Sequence, residues 1–205
     1  MEAAVAEALA RVRALAPADD DHAALGDVRD VLVELAALFA SQGWAAEMPR
    51  LALLPSGDFD VFEPLSIDDD GRYALYVWLT SKQLSTVPHD HKTWAVVAGV
   101  TGEERNKLYH LAGAGAASTA EKVRDEVAIT EGVGLVMLPD DVHSVMIDGR
   151  AEPVLQLHLY GKSIDLLTDR RIFDAAGQCT IMNGDVVPSL DYEFQPDPPP
   201  CGGKL

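Results

Sequence analysis

Cations are scarce in this chain. Its 205 residues hold 16 Lys and Arg against 33 Asp and Glu, giving a net charge of −17 and a pI near 4.5. A surface this acidic repels phosphate backbones and anionic bilayers, so neither nucleic acid nor a membrane is an expected partner. Cysteine is nearly as scarce: Cys179 and Cys201 are the two, and neither stands in a CxxC or zinc-binding spacing. No basic N-terminal stretch leads into an apolar run, so no secretory signal is expected. No apolar run is long enough to cross a bilayer as a helix. A reduced, cytoplasmic protein is the resulting expectation. The spaced oxygen ligands of an EF-hand are missing too, and Asp68-Asp69-Asp70 ahead of Gly71 reads as a solvated turn.

What is present suits one globular domain with room for a sizeable core: 48% of the residues are hydrophobic and 24% charged. The first part reads as helical. Residues 2–15 are rich in Ala, Leu, Glu and Arg at helical spacing and stop before Pro17; residues 28–39 carry a second apolar stripe, closed by Gly43. Asp19, Asp20 and Asp21 are N-cap candidates for that helix, and His22 is placed in the linker. From residue 51 onward short apolar runs alternate with Gly, Pro and Asp clusters, the pattern of an all-β unit. Expected strands are 51–54, 73–80, 94–98, 105–110, 126–130, 134–138, 142–147 and 154–160, with a loop at 112–119 and a hairpin joining 170–173 to 180–182. The expected layout is N-terminal helices over residues 1–45, a β-barrel over 50–185 and a flexible tail over 195–205.

The chemistry gathers around His89-Asp90-His91. On a strand, residues i and i+2 share a face, so two imidazoles side by side form half of a metal site. The alternative is a surface strand with two solvated histidines. A third ligand from a later strand is best supplied by His143, which follows the turn Pro139-Asp140-Asp141. In Leu155-Gln156-Leu157-His158-Leu159-Tyr160 the polar residues alternate with leucines. Gln156, His158 and Tyr160 therefore share one face, which reads as a site wall. His110 is expected to be exposed. Three histidines suit iron, zinc or nickel alike.

These residues resemble the cysteine dioxygenase family of cupins, the thiol dioxygenases. His89-Asp90-His91 with Trp94 and the Gly99…Gly102-Glu103 turn is similar to the first cupin motif. Gly134…Pro139…His143 is similar to the second. Leu157-His158-Leu159-Tyr160-Gly161 is similar to the family's outer histidine and active-site tyrosine. The resemblance implies a mainly β cupin fold, a double-stranded β-helix or jelly-roll barrel with N-terminal α-helices packed on it. It implies Fe(II) held by His89, His91 and His143, with His158 and Tyr160 in catalytic roles, and a small thiol and O₂ as substrates. The expected product is a sulfinate, formed by a monomer or small homo-oligomer. The alternatives are a cupin that cleaves β-diketones and a non-catalytic cupin that binds a small ligand.

Departures from the family bear on the substrate. The region where many cupins carry a glutamate ligand holds Ala95 and Val96, as in the three-histidine branch, and no cysteine follows HxH to cross-link the tyrosine. The first member of the family's Ser-His-Tyr set is Gln156 here. By ungapped spacing, the carboxylate-binding arginine of the cysteine branch falls near Glu63, which argues against cysteine. Arg170, Arg171 or Arg72 could receive a substrate carboxylate instead, and a mercapto acid such as 3-mercaptopropionate is the expected thiol. Were the substrate cysteamine, Glu63 would be its ammonium partner.

Overall fold

The computed structural model describes residues 1–44, 60–112, 119–150, 152–182 and 189–190. Helix α1 spans Glu2–Leu15 and stops at Ala16, which takes a left-handed conformation (φ 43°) directly before Pro17. Helix α2 spans His22–Ser41. Asp21 caps it, its side chain accepting from the backbone N–H of Ala24 at 3.0 Å. One good cap sets the start, so α2 begins well before residue 28, and His22 lies in its first turn rather than in a linker. Gly43 (φ 68°) follows the C-terminus, as its position suggested.

The strands are β1 Asp60–Ser66, β2 Arg72–Thr80, β3 Gln83–Thr86, β4 Ala95–Thr101, β5 Glu104–Ala112, β6 Thr119–Ile129, β7 Gly134–Met137, β8 Val142–Asp148, β9 Val154–Lys162, β10 Arg170–Phe173, β11 Cys179–Met182 and β12 Ser189–Leu190. A 3-10 turn covers Ile164–Leu166. One sheet runs β1-β2-β9-β4-β7, the other β12-β3-β8-β5-β6, and all pairings within them are antiparallel. From β2 to β5 and again from β6 to β9 the chain changes sheet at every step. That alternation is a double-stranded β-helix, the expected fold class. The expected hairpin is β10-β11. The expected strand at 51–54, the loop residues 113–118 and the tail 195–205 lie outside the described residues.

Strand β9 shows how the sequence builds the layers. Its Leu155, Leu157 and Leu159 face outward and pack, with Val96 and Ala98 of β4, against Leu25, Val28, Leu32, Leu35 and Phe39 of α2. Each such side chain contributes about 1.5–3 kcal/mol when buried. The alternate residues His158 and Tyr160 face the barrel interior. The helices thus seal one sheet's outer face and leave its inner face to line a cavity.

Candidate metal centre

The HxH segment is not part of a regular strand. It lies between β3 and β4, and only His89 makes ladder contacts, as an isolated bridge to His143 and to Ile172. Pro88 contributes no donor, the Asp90 side chain rather than a backbone oxygen accepts from Arg171 N (2.7 Å), and Lys92 turns the chain at φ 53°. Short backbone bonds still hold the segment extended: His89 and His143 exchange N–H···O bonds of 2.8 and 2.9 Å, and Asp90 N donates to Arg171 O at 3.0 Å. Both histidines therefore face the cavity, as strand periodicity had suggested, by a different backbone route.

His89, His91 and His143 each present one ring nitrogen, all within 4.8 Å of one another. The three residues are 4%, 2% and 3% exposed. His89 Nδ1 donates to Val87 O (2.9 Å) and His143 Nδ1 to Asn106 Oδ1 (2.7 Å). With Nδ1 protonated, Nε2 of each carries a lone pair directed inward. The Nε2 atoms of His91 and His143 stand 3.3 Å apart. His91 Nδ1 has no partner among the described residues, so the lone pair on His143 Nε2 faces a His91 ring free to present its own Nε2 to the same point. Burial holds all three imidazoles neutral: the His89 pKa is pulled down to about 3, and those of His91 and His143 fall well below the ordinary value, neighbouring imidazoles adding to the desolvation. Three converging neutral imidazoles fit a divalent metal ion.

A cavity of about 240 Å³ opens onto the three histidines. Phe62, Trp78, Leu84, Val145 and Ile164 form its apolar wall, and Thr86, His158, Tyr160 and Arg170 are polar groups within it. Asp60 sits on the lining but is engaged by Trp78 Nε1 (3.0 Å) and Lys82 Nζ (3.2 Å). Tyr160 packs edge-on against His91, and its hydroxyl lies 3.4 Å from His158 Nδ1. Desolvation raises the Tyr160 pKa and pulls that of His158 down to about 3.

Of the candidate substrate residues, Arg170 is brought to the cavity, 3% exposed. Its Nε donates to Asp90 O (3.2 Å), and among the described residues no carboxylate lies within ion-pair distance of it. Arg171 points the other way. Its Nε meets Asp90 Oδ2 at 2.5 Å and its Nη2 meets Asp140 Oδ1 at 2.9 Å, so it pins the HxH segment to the turn before β8. Glu63 is exposed on β1, because its neighbour Phe62 takes the inward position. Arg72 lies exposed at the start of β2, donating to the Tyr73 hydroxyl (2.9 Å) and stacking on that ring. Gln156 is buried on the inner face of β9 but does not border the cavity. Sequence reasoning missed Glu104 and Asn106. Both are buried, and Asn106 Nδ2 donates to Glu104 Oε1 at 2.7 Å. Their signal was present, as two polar residues at i and i+2 on one strand.

The fold and the centre together define a cupin-type barrel with a three-histidine site. No family model matches the chain, and no curated protein matches it. Solved structures resemble it at low identity. One is an uncharacterised double-stranded β-helix protein from Klebsiella pneumoniae: 15% identity, 56% of this chain and 87% of the other, TM-score 0.39. The Schizosaccharomyces pombe Cnp3 cupin domain shows 9% identity over 57% of this chain and 67% of its own, TM-score 0.41. A DMSP lyase from Ruegeria pomeroyi shows 17% identity over 60% of this chain and 56% of its own, TM-score 0.39. Among the described residues no helix is long and apolar enough to cross a membrane.

Proposed function

We propose that the protein oxidises a small mercapto acid to the sulfinate with O₂, at a divalent iron held by His89, His91 and His143. The observation that carries the substrate class is Arg170: a guanidinium enclosed in the same cavity as the three histidines, with no carboxylate within ion-pair distance among the described residues. Burial lowers its pKa, and the nearby Tyr160 and Asp90 offset only part of that cost. A substrate carboxylate supplies that anion and makes paired hydrogen bonds that fix orientation as well as affinity. Iron(II), when bound, would supply O₂ activation and a cationic site for a thiolate, its charge left uncompensated by neutral ligands.

The remaining lining residues have separable roles. Phe62 and Trp78 form an apolar wall that limits water. Tyr160 presents a hydroxyl to the bound substrate. The volume of about 240 Å³ suits a molecule of a few heavy atoms. Cysteamine loses its expected ammonium partner, since Glu63 faces away from the cavity.

Oxygen uptake by the iron-loaded protein tests the reading. We expect 3-mercaptopropionate to be consumed faster than cysteine or cysteamine, with both atoms of isotopically labelled O₂ in the sulfinate. Uptake with β-diketones instead would identify a carbon–carbon cleaving enzyme. No uptake with any compound at full iron occupancy would leave a ligand-binding cupin. His143→Ala should remove most of the bound metal, measured by elemental analysis; full iron retention would overturn the ligand set.

A further inference from the structure

Two buried polar atoms behind the centre face each other without a partner. Glu104 Oε2 and His158 Nε2 are both enclosed, neither has a hydrogen-bond partner among the described residues, and they stand 3.7 Å apart. The other carboxyl oxygen, Oε1, is fixed by Asn106 Nδ2 at 2.7 Å. On the far side of the same imidazole, Nδ1 lies 3.4 Å from the Tyr160 hydroxyl, which borders the cavity. Phe62 and Trp78 pack edge-on against His158 at 5.8 and 5.7 Å between ring centres, screening it from solvent. Glu104 itself is fully buried and does not border the cavity, so its connection to the substrate runs through His158.

We propose that Glu104 is the inner end of a proton relay, through His158 and Tyr160, that takes up the thiol proton when substrate binds; this rests on the thiol reading above. The proton leaves sulfur for the Tyr160 oxygen while the hydroxyl proton passes to His158 Nδ1, and the Nε2 proton passes to Glu104 Oε2. One S–H bond breaks, one carboxylic O–H bond forms, and Tyr160 and His158 end as neutral as they began. The products are a thiolate and a neutral Glu104, so no oxidant or further reactant is required. His158 switches tautomer in the process. Its new Nδ1–H is then accepted by the Tyr160 oxygen, which frees the phenolic proton to point into the cavity.

The chemistry of the three groups matches these roles. Burial raises the Glu104 pKa to about 7, so the carboxylate can hold a proton near neutral pH, whereas His158, pulled down to about 3, passes a proton on without keeping it. Gln156, the sequence counterpart of the family's serine, offers an amide that has no such capacity. Glu104 also steadies Asn106, which orients His143, so one buried carboxyl touches both the metal-ligand support and the tyrosine support.

The relay is read from ¹⁵N imidazole spectra of the full-length, zinc-loaded protein at mildly alkaline pH. Wild type should carry the His158 proton on Nε2. In Glu104→Gln the Asn106 bond keeps the amide oxygen at its old position, the NH₂ faces Nε2, and the proton should move to Nδ1. Tyr160→Phe should keep the wild-type tautomer. A proton on Nδ1 in the wild type, or an unchanged tautomer in Glu104→Gln, overturns the relay without any appeal to substrate. Calorimetry in buffers of differing ionisation enthalpy then follows 3-mercaptopropionate binding to the zinc-loaded protein. Wild type should release almost no proton to buffer, and Glu104→Gln about one per ligand bound. Equal release from both overturns the proposal. Absence of binding, with the tautomers as expected, sinks the mercapto-acid reading and the thiol-proton role that rests on it, and leaves the Glu104–His158–Tyr160 geometry established.

Discussion

Two adjacent arginines on β10 have opposite duties, and the difference is a matter of side-chain alternation. Arg170 faces the cavity and Arg171 the Asp90–Asp140 pair. Arg170→Ala should therefore raise KM for a mercapto acid about 10–100-fold, the range expected when charged hydrogen bonds worth about 1.5–3 kcal/mol are lost. An uncharged thiol of the same size should be affected little. Steady-state kinetics on the pair of substrates decides it, and equal effects on both would mean that Arg170 does not read the carboxylate. The same alternation explains why Glu63 was a misleading candidate. Ungapped counting carries an error of one residue, and on a strand one residue inverts the face. The β1 positions that border the cavity are Asp60 and Phe62, and Glu63 lies on the other face.

At the scale of elements, the centre depends on β10 lying against the HxH segment. Phe173 N donates to Pro88 O at 2.8 Å, Asp90 N to Arg171 O at 3.0 Å, and the fully buried Asp90 carboxylate takes both Arg171 N and Nε, with Lys92 Nζ at 3.1 Å. Removing one member of such a buried pair typically destabilises by about 3–5 kcal/mol. Asp90→Ala should lose stability on that order in urea denaturation and lower metal occupancy as well, although Asp90 is no metal ligand. Unchanged iron content would show that the segment holds its shape without the carboxylate. Much of this architecture was legible in the sequence. β2, β4, β8 and β9 stood out as short, largely apolar runs, buried almost throughout and bounded by turn residues, and Gly177 marked the hairpin. β1 was missed because Pro64 reads as a strand breaker; it is tolerated at a sheet edge, where the register shifts between Pro64 and Ser66. β3 is short and mostly polar, and β6 begins earlier than expected because Arg124 and Asp125 give no apolar periodicity. The three ligands and the His158–Tyr160 wall could be found from spacing. The Glu104–Asn106 pair behind them showed only as two polar residues at i and i+2 on β5, and nothing local marked its partners, His158 and His143, on strands far along the chain.

For the molecule as a whole, the buried titratable groups set how stability varies with pH, and the two at the inner end of the relay act in opposite directions. Burial pulls His158 from 6.5 down to about 3, so its contribution is present above pH 6.5 and is lost as the pH falls toward 3, where the folded state must bury a charge or open. Glu104 is raised from 4.5 to about 7, the reverse of the usual carboxylate case. The folded state binds its proton more tightly than the unfolded chain does. Its contribution is therefore present below pH 4.5 and is lost as the pH rises through about 7. At about 1.4 kcal/mol per pH unit for each group, the Glu104 effect amounts to roughly 3 kcal/mol across that window. Glu104→Gln replaces a titrating carboxyl with an amide of nearly the same shape that stays neutral throughout. Whatever the amide changes in packing, it changes equally at every pH, so the informative quantity is the slope. In urea denaturation of the metal-free protein, the stability of the variant relative to wild type should increase by roughly 3 kcal/mol between about pH 4.5 and pH 7 and level off above that. Parallel stability curves for the two proteins would mean that Glu104 ionises at its ordinary pH in the fold, and a carboxyl of that kind could not hold a substrate proton near neutrality.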